Sequence, residues 1–247
     1  MIKSLSIALS ATAALGVAAA NPVSVDLSSW TNDGGSWTRA ADNNSVVQNT
    51  NGNPTVFSNG VDSQGQQLSG TIEVQTTSDD DFIGFVLGYD AGDLSNASAD
   101  YLLIDWKQGQ QGFFGCDGDV GLSISRVSGT LTNGSGPWCH DENANVTEIV
   151  RATNLGSTGW ADNTEYDFDL VFTTTRVQVF VDGILELDIT GSFSNGGFGF
   201  YNYSQASVRY GALTEQTAPE VPLPGAAALF IPAMLGGAAW RRSKAQK

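Results

Sequence analysis

Short runs in which apolar and polar residues alternate are the feature that most constrains how this chain can fold. Thr71–Gln75 and Tyr166–Phe172 alternate cleanly, and each run ends near residues that favour turns. Because successive side chains of a strand point to opposite faces, a period of two predicts strands with one buried face. No long segment between residues 21 and 220 places its apolar residues at helical spacing.

More strands are indicated along the same region. They are predicted at Phe82–Tyr89, Tyr101–Trp106, Val120–Val127, Val177–Val181, Ile184–Ile189, Phe198–Tyr201 and Ala206–Tyr210. Asp182-Gly183 is typical of a two-residue hairpin turn between two of these strands. About a dozen short strands separated by turn residues predict an all-β antiparallel sandwich with no second domain.

The first twenty residues have the pattern of a secretory signal peptide. Lys3 is followed by an apolar run over residues 5–17, and small side chains at Ala18, Ala19 and Ala20 suit a signal peptidase. The run is short for a spanning helix, which needs about 20 apolar residues. We therefore expect residues 1–20 to be removed and the protein to be exported.

The C-terminal end predicts a tail that meets the membrane. Residues 221–240 carry no charge, and a basic cluster that includes Arg241 and Arg242 follows them. About 20 uncharged residues reach across a bilayer as one transmembrane helix, and the basic cluster belongs on the cytoplasmic side. A plain C-terminal anchor would satisfy this pattern.

The start of the tail favours a second interpretation. Val221, Pro222, Leu223 and Pro224 resemble the opening of the VPLPA variant of the bacterial PEP-CTERM sorting signals, although Gly225 stands where that motif has alanine. The resemblance implies an exosortase-type sorting enzyme as partner, which processes the tail after transient insertion in the membrane. We expect a cell-surface or extracellular protein.

The exported region is strongly acidic. It contains all 26 acidic residues but only six of the 11 basic residues, which gives a formal net charge of −20. Such a charge repels nucleic acid and anionic lipid, and it favours solubility and divalent cations. A solvated acidic surface explains the same composition without any ligand.

Two cysteines, Cys116 and Cys139, lie within this region. In an oxidising compartment a pair inside one domain predicts a disulfide bond. The bond would close a loop of 24 residues, counting both cysteines. Closing such a loop stabilises the fold by about 3–4 kcal/mol, because it lowers the entropy of the unfolded chain.

Acidic residues cluster at two predicted loops. Asp79, Asp80 and Asp81 lead directly into a strand, and Asp117 and Asp119 form a second acidic group beside Cys116. Calcium takes 6–8 oxygen ligands and suits such loops, so a structural calcium site is one hypothesis. Acidic turn residues without a metal are the alternative.

An ordered series of motifs between Phe57 and Tyr210 resembles the thrombospondin C-terminal domain. The matching segments are Asn59–Asp62, Leu68–Val74, Asp79–Tyr89, Tyr101–Gln108, Gly121–Ile124, Trp138 with His140, Gly159–Asp162 and Gly196–Phe200. The resemblance implies a concanavalin A-like jelly roll over residues 21–213, with a linker at 214–220 and the sorting tail at 221–247. The Asp-rich calcium repeats that precede this domain in animal thrombospondins are missing, so their partners do not transfer.

Two functions compete on such a fold. A glycan-active enzyme of the glucanase type needs Glu-x-Asp-x-Glu on one strand, and Glu186-Leu187-Asp188-Ile189-Thr190 fails at its last residue. Both acids are expected to point outward, and His140 is the only histidine. We therefore predict a non-catalytic surface or matrix protein that binds polysaccharide or surface proteins. Candidate ligand-binding residues are Trp138, His140 and Trp160, although a jelly roll buries many of its aromatic side chains.

Overall fold

The computed structural model of the protein describes residues 21–219. The predicted signal peptide, residues 1–20, and the predicted sorting tail, residues 221–247 with Val221, Pro222, Leu223, Pro224, Arg241 and Arg242, lie outside the described residues. Within the described range, no helix combines the length and apolar character needed to cross a membrane.

Seventeen strands and one short helix account for the regular structure of the described residues. The strands are β1 Val23–Ser24, β2 Thr31–Asp33, β3 Trp37–Arg39, β4 Val46–Gln48, β5 Thr55–Ser58, β6 Gln66–Val74, β7 Phe82–Tyr89, β8 Asp100–Lys107, β9 Gln111–Phe113, β10 Cys116–Gly118, β11 Gly121–Ser128, β12 Val146–Arg151, β13 Glu165–Phe172, β14 Arg176–Val181, β15 Ile184–Thr190, β16 Gly197–Tyr203 and β17 Val208–Thr217. Helix α1 spans Ser135–Cys139, and 3₁₀ turns lie at Leu27–Ser29, Asp93–Ser95 and Glu142–Ala144.

Two antiparallel sheets form the predicted sandwich. One has seven strands in the order β12-β11-β8-β7-β16-β5-β2. The other has eight, in the order β15-β14-β13-β6-β17-β4-β3 with β1 added beside β17. Strands β9 and β10 make a separate hairpin. The all-β antiparallel sandwich expected from the alternation is therefore confirmed.

The main core lies between the two sheets. Phe85, Ile104 and Phe200 from the seven-stranded sheet face Phe168 and Leu170 from the eight-stranded sheet, and all five are buried. Phe168 and Leu170 are two positions apart on β13, so their side chains point to the same face, as a period of two requires. The predicted Asp182-Gly183 turn is also confirmed, because both residues have positive φ, 49° and 74°, as a type I′ turn demands.

The seven-stranded sheet is buried on its second face as well. Tyr101, Leu103 and Tyr201 point away from the main core and form a second apolar cluster. Segments 94–99 and 131–146 cover it, with Trp138 packed against the cluster. This capped face, defined by these strand residues and the two segments over them, positions Trp138 and His140.

Two details differ from the sequence-based expectations. Strand β17 continues to Thr217 because Thr214–Thr217 pairs with Gln66–Ser69, so the sheet extends into the segment expected as a linker from residue 214. Glu186, expected to point outward, is 3% exposed. A register shift opposite Val179 and Phe180 leaves Glu186 unpaired on its strand, and such a bulge re-aims the side chain.

Candidate functional site

A groove of about 310 Å³ lies at the end of the sandwich where β7 begins and β8 and β16 end. We call it the loop groove. Its lining residues are Gly52, Asn53, Asp79, Asp81, Gln111, Phe113, Asn133, Trp138, Tyr203 and Ser204. A larger groove of about 520 Å³ lies where β1 meets the end of β17, but it contains none of the predicted site residues. The loop groove brings Asp79 and Asp81 of the acidic triplet together with Trp138, which makes it the candidate site.

Two members of the acidic triplet, Asp79 and Asp81, line the loop groove, and Asp80 lies beside them. Asp79, Asp80 and Asp81 place carboxylate oxygens within 4.8 Å of one another, and no other group of three possible metal ligands occurs among residues 21–219. Asp117 and Asp119, the second predicted pair, do not join this group. Asp119 instead lies 4.0 Å from the guanidinium of Arg151.

A buried lysine neutralises the innermost member of the triplet. Nζ of Lys107 donates to Oδ1 of Asp81 at 2.5 Å and lies 3.8 Å from Oδ1 of Asp80. The Lys107 side chain is fully buried, whereas the Asp80 side chain is 41% exposed. Burial raises the pKa of Asp81 to about 6, and the hydrogen bond and charge of Lys107 oppose that rise. Asp79 and Asp80 are thus the members of the triplet that face solvent.

Trp138 is a buried part of the groove lining. Helix α1 carries it, its indole N–H donates to the carbonyl of Gln111 at 3.2 Å, and its ring meets Phe82 and Tyr203 edge to face. Trp138 is only 4% exposed. The exposed aromatic side chain at this rim is Phe113, which is 55% exposed and contacts the Trp138 ring at 5.3 Å between centroids.

Trp160 takes no part in the groove lining. Its ring is 2% exposed in the main core, and its indole N–H donates to the backbone carbonyl of Asp81 at 3.0 Å. A sugar ring stacks on an accessible aromatic face, which Trp160 does not present here. Its contact with Asp81 holds the start of β7 in position.

His140 lies in segment 131–146, which covers the capped face, and it does not line the loop groove. Its Nε2 meets Asp105 and its Nδ1 meets Glu148, both at 2.9 Å. Burial by itself lowers the pKa of His140, but the carboxylates of Asp105 and Glu148 outweigh burial and raise this pKa to about 10. The hydrogen bond from His140, together with Arg151, holds the pKa of Glu148 below its usual range. A protonated His140 therefore clamps the segment after α1 onto β8 and β12.

The predicted disulfide joins Cys116 to Cys139, with a Cα–Cα distance of 6.2 Å. It ties the β9–β10 hairpin to the end of α1. Phe113 and Phe114 sit at the turn of this hairpin and are among the most exposed large apolar side chains of the described residues. The bond thus fixes the aromatic rim of the loop groove.

The acids considered for glycan hydrolysis are engaged elsewhere. The Glu186 carboxylate accepts hydrogen bonds from the backbone N–H groups of Asn154 and Leu155 and from the Asn154 side chain. Asp188 makes a two-bond ion pair with Arg176. Neither carboxylate lines the loop groove.

Sequence reasoning overlooked Lys107, Asp105 and Phe113. Lys107 and Asp105 lie on β8, where the alternation of side chains places them on the capped face. Charged residues were not expected to be buried there. One signal was available for Lys107. Phe82 and Lys107 are paired across β7 and β8, so Asp81, which precedes Phe82, meets Lys107 at the same end of the hairpin.

Comparison with known proteins identifies the domain type. The family profile of the thrombospondin C-terminal region matches residues 32–218. Human thrombospondin-3 is 27% identical over 197 residues, which is 72% of this chain and 20% of that protein. Thrombospondin-1 of Xenopus laevis is 31% identical over 137 residues, 51% of this chain and 11% of that protein. The chain thus spans about a fifth or less of the curated relatives it matches.

Solved structures share the fold at low sequence identity. A carbohydrate-binding module, CBM66 from Bacillus subtilis, has a TM-score of 0.54 at 13% identity and covers 76% of this chain and 95% of its own. The lumenal domain of VIP36, solved with calcium and Man3GlcNAc, has a TM-score of 0.50 at 14% identity, covering 82% and 90% of the two chains. Both likenesses concern the fold alone.

Proposed function

Because the chain belongs to the thrombospondin C-terminal region family, we propose that it is an exported, non-catalytic binding protein that engages extracellular polysaccharide or the surface proteins of cells through the loop groove. The observation that carries the proposal is the composition of the groove. Amide, hydroxyl and carboxylate side chains line it beside an exposed Phe113 ring. Sites for small polar ligands combine apolar surface with a few placed polar groups.

A neutral glycan fits this composition better than a charged polymer does. Asn53 and Asn133 offer amide donors and acceptors, and Phe113 offers a face for the apolar side of a sugar ring. The formal charge of −20 on the exported region repels polyanions. The fold neighbours include a carbohydrate-binding module and a lumenal domain solved with bound Man3GlcNAc, which supports this ligand class by analogy of fold only.

Calcium at the groove wall is part of the proposal. Asp79 and Asp80 are the proposed ligands of the ion, because Asp81 is already paired with Lys107. Calcium binding should raise the melting temperature after chelation and re-addition, and Asp79→Asn should reduce that rise. An unchanged melting temperature with no heat in a calorimetric titration would remove calcium from the proposal.

Export and tail processing complete the proposal. The pattern of residues 1–20 and of residues 221–247 supports export, membrane insertion of the tail and processing by an exosortase-type enzyme. Mass spectrometry of the protein recovered from its native host would locate both mature ends. A tail that remains intact would favour a plain anchor.

The binding proposal is tested with a matched pair of surface variants. Phe113→Ala removes an exposed ring at the groove, and Ile184→Ala removes an equally exposed side chain on the eight-stranded sheet, since the two are 55% and 54% exposed. On a glycan array followed by titration, we expect Phe113→Ala to weaken binding about tenfold, equivalent to about 1.4 kcal/mol. Ile184→Ala should bind as the unaltered protein does.

Two outcomes would overturn the binding proposal. One is equal binding by both variants, and the other is hydrolysis of a β-glucan by the unaltered protein that Glu186→Gln abolishes. The second outcome would favour a glycan-active enzyme.

A further inference from the structure

Lys107 and Asp81 form a buried ion pair. The side chains are 0% and 4% exposed, and Nζ of Lys107 lies 2.5 Å from Oδ1 of Asp81. We infer that these two side chains join covalently, forming an amide crosslink between Nζ of Lys107 and Cγ of Asp81. The inference is independent of what the loop groove binds.

The surroundings of the pair favour the uncharged product. Nζ of Lys107 lies 4.9 Å from the centre of the Phe82 ring and 4.7 Å from that of Trp138. Tyr203 stacks on Phe82 and closes the same aromatic enclosure. The two ring faces attract the ammonium form of Lys107, but a buried charge pair keeps a desolvation cost that a neutral amide does not carry.

Both reacting groups are held in place before any reaction. Lys107 pairs with Phe82 across β8 and β7, so the residue before Phe82 meets the lysine at the end of the hairpin. The Asp81 backbone N–H donates to Gln205 at 3.2 Å, and its carbonyl accepts from Trp160 at 3.0 Å. Holding two reactants in contact converts a slow bimolecular step into an intramolecular one.

The reaction needs no oxidant and no co-reactant. One proton passes from the Lys107 ammonium to the Asp81 carboxylate, which leaves a neutral amine beside a neutral acid. Nζ then attacks Cγ, the N–C bond forms, a C–O bond of the carboxyl breaks, and one water molecule leaves. Charge is conserved, because one positive and one negative group disappear together.

Asp80 also contacts Nζ of Lys107 and helps to hold it in place. Its Oδ1 lies 3.8 Å from Nζ, and its backbone carbonyl accepts from Nζ at 3.3 Å. The finished crosslink would tie the start of β7 to the end of β8 directly beneath the loop groove.

Mass spectrometry of the purified full chain, reduced and alkylated, tests the crosslink. Lys107 is the only lysine between residues 21 and 219, so trypsin should release peptides 40–107 and 108–126 if its side chain is free. With the crosslink we expect a single peptide, 40–126, lighter than its sequence by the mass of one water molecule. Under denaturing conditions, Lys107 should also resist an amine-specific label.

Variants identify the atoms involved. Asp81→Asn should lose the mass of ammonia instead of water if it reacts, because the leaving group changes. Lys107→Arg keeps a positive charge but cannot form the amide, so it should show no mass loss.

The unaltered protein alone is decisive, so a variant that fails to fold does not weaken the test. Abundant peptide 40–107 with a free, labelled Lys107 side chain would overturn the inference and leave an ion pair only. A water loss that persists in Lys107→Arg would also overturn it, because the loss would then come from another site.

Discussion

The two faces of the seven-stranded sheet are both buried, but against different partners and with different chemistry. The inner face meets the second sheet through apolar side chains such as Phe85, Ile104 and Phe200. The capped face mixes apolar residues with charges, since Asp105 and Lys107 are 1% and 0% exposed. An inner face needs only the right pattern and volume, whereas buried charges need partners that arrive from distant segments.

The difference shows how stability and site construction are divided. The inner face holds the sandwich together and contributes little to the loop groove. The capped face holds the groove in shape through the disulfide, the Lys107 pair and the His140 clamp. Variants of the two faces should therefore separate loss of fold from loss of groove geometry.

Truncating an inner-face ring should have the largest effect. Phe85→Ala removes a side chain that is 5% exposed and contacts Phe168 and Tyr210. We expect the free energy of unfolding to fall by about 3–5 kcal/mol, because a cavity remains between the sheets. Denaturant unfolding measures the change, with Phe114→Ala on the exposed hairpin as control. Equal losses in the two variants would contradict the division between core and rim.

Removing the disulfide should have the next largest effect. A Cys116→Ser, Cys139→Ser double variant loses a bond that spans 23 positions of the sequence. The free energy of unfolding should fall by about 3 kcal/mol through the greater entropy of the unfolded chain. Proteolysis should begin in the β9–β10 hairpin, because the bond ties that hairpin to α1. Cleavage that begins in the eight-stranded sheet would contradict this assignment.

The His140 clamp predicts a loss of stability at alkaline pH. The pKa of His140 is raised from its ordinary 6.5 to about 10 in the folded protein. Its contribution to stability is therefore complete below about pH 6.5 and is lost as pH rises towards 10. Between these limits the free energy of unfolding should fall by up to about 1.4 kcal/mol per pH unit. Thermal unfolding of the unaltered protein and of His140→Gln compares the slopes, and His140→Gln should be nearly flat.

The smallest effect is expected for a hydroxyl on the capped face. The Tyr201 hydroxyl is buried without a hydrogen-bond partner. Tyr201→Phe should change the free energy of unfolding by less than about 1 kcal/mol, and in the stabilising direction, because no bond is lost and no polar group stays unpaired. A loss above that range in chemical denaturation would mean that the hydroxyl has a partner.

The pattern of the sequence was sufficient for most of the sandwich. Tyr166–Phe172 is a strand because its alternation determines a strand with one buried face locally. Phe82–Tyr89 and Tyr101–Trp106 are short apolar runs rich in strand-favouring residues, which indicate buried strands. The Asp182-Gly183 turn is equally local. Glu186 could not be predicted in this way, because its inward position follows from a bulge that only the pairing with β14 reveals.

The candidate site was predictable only in part. The acidic triplet and the disulfide follow from runs of like residues and from cysteine count. The burial of Trp160 and the engagement of Trp138 under Phe113 depend on how the loops fold over the sheet. Composition marks an aromatic residue as a candidate for ligand contact, but accessibility decides it, and accessibility is a property of the assembled chain.

The sequence by itself determined the sheet class, the turn at Asp182-Gly183, the acidic character and the family resemblance, because each depends on residues that are neighbours along the chain. Only the tertiary structure decided which charges are buried and which partners they meet. Asp81 with Lys107 and His140 with Asp105 join segments 26 and 35 positions apart. Such pairs exist because a buried charge must find its counter-charge, and the chain finds it only when the loops close over the sheet.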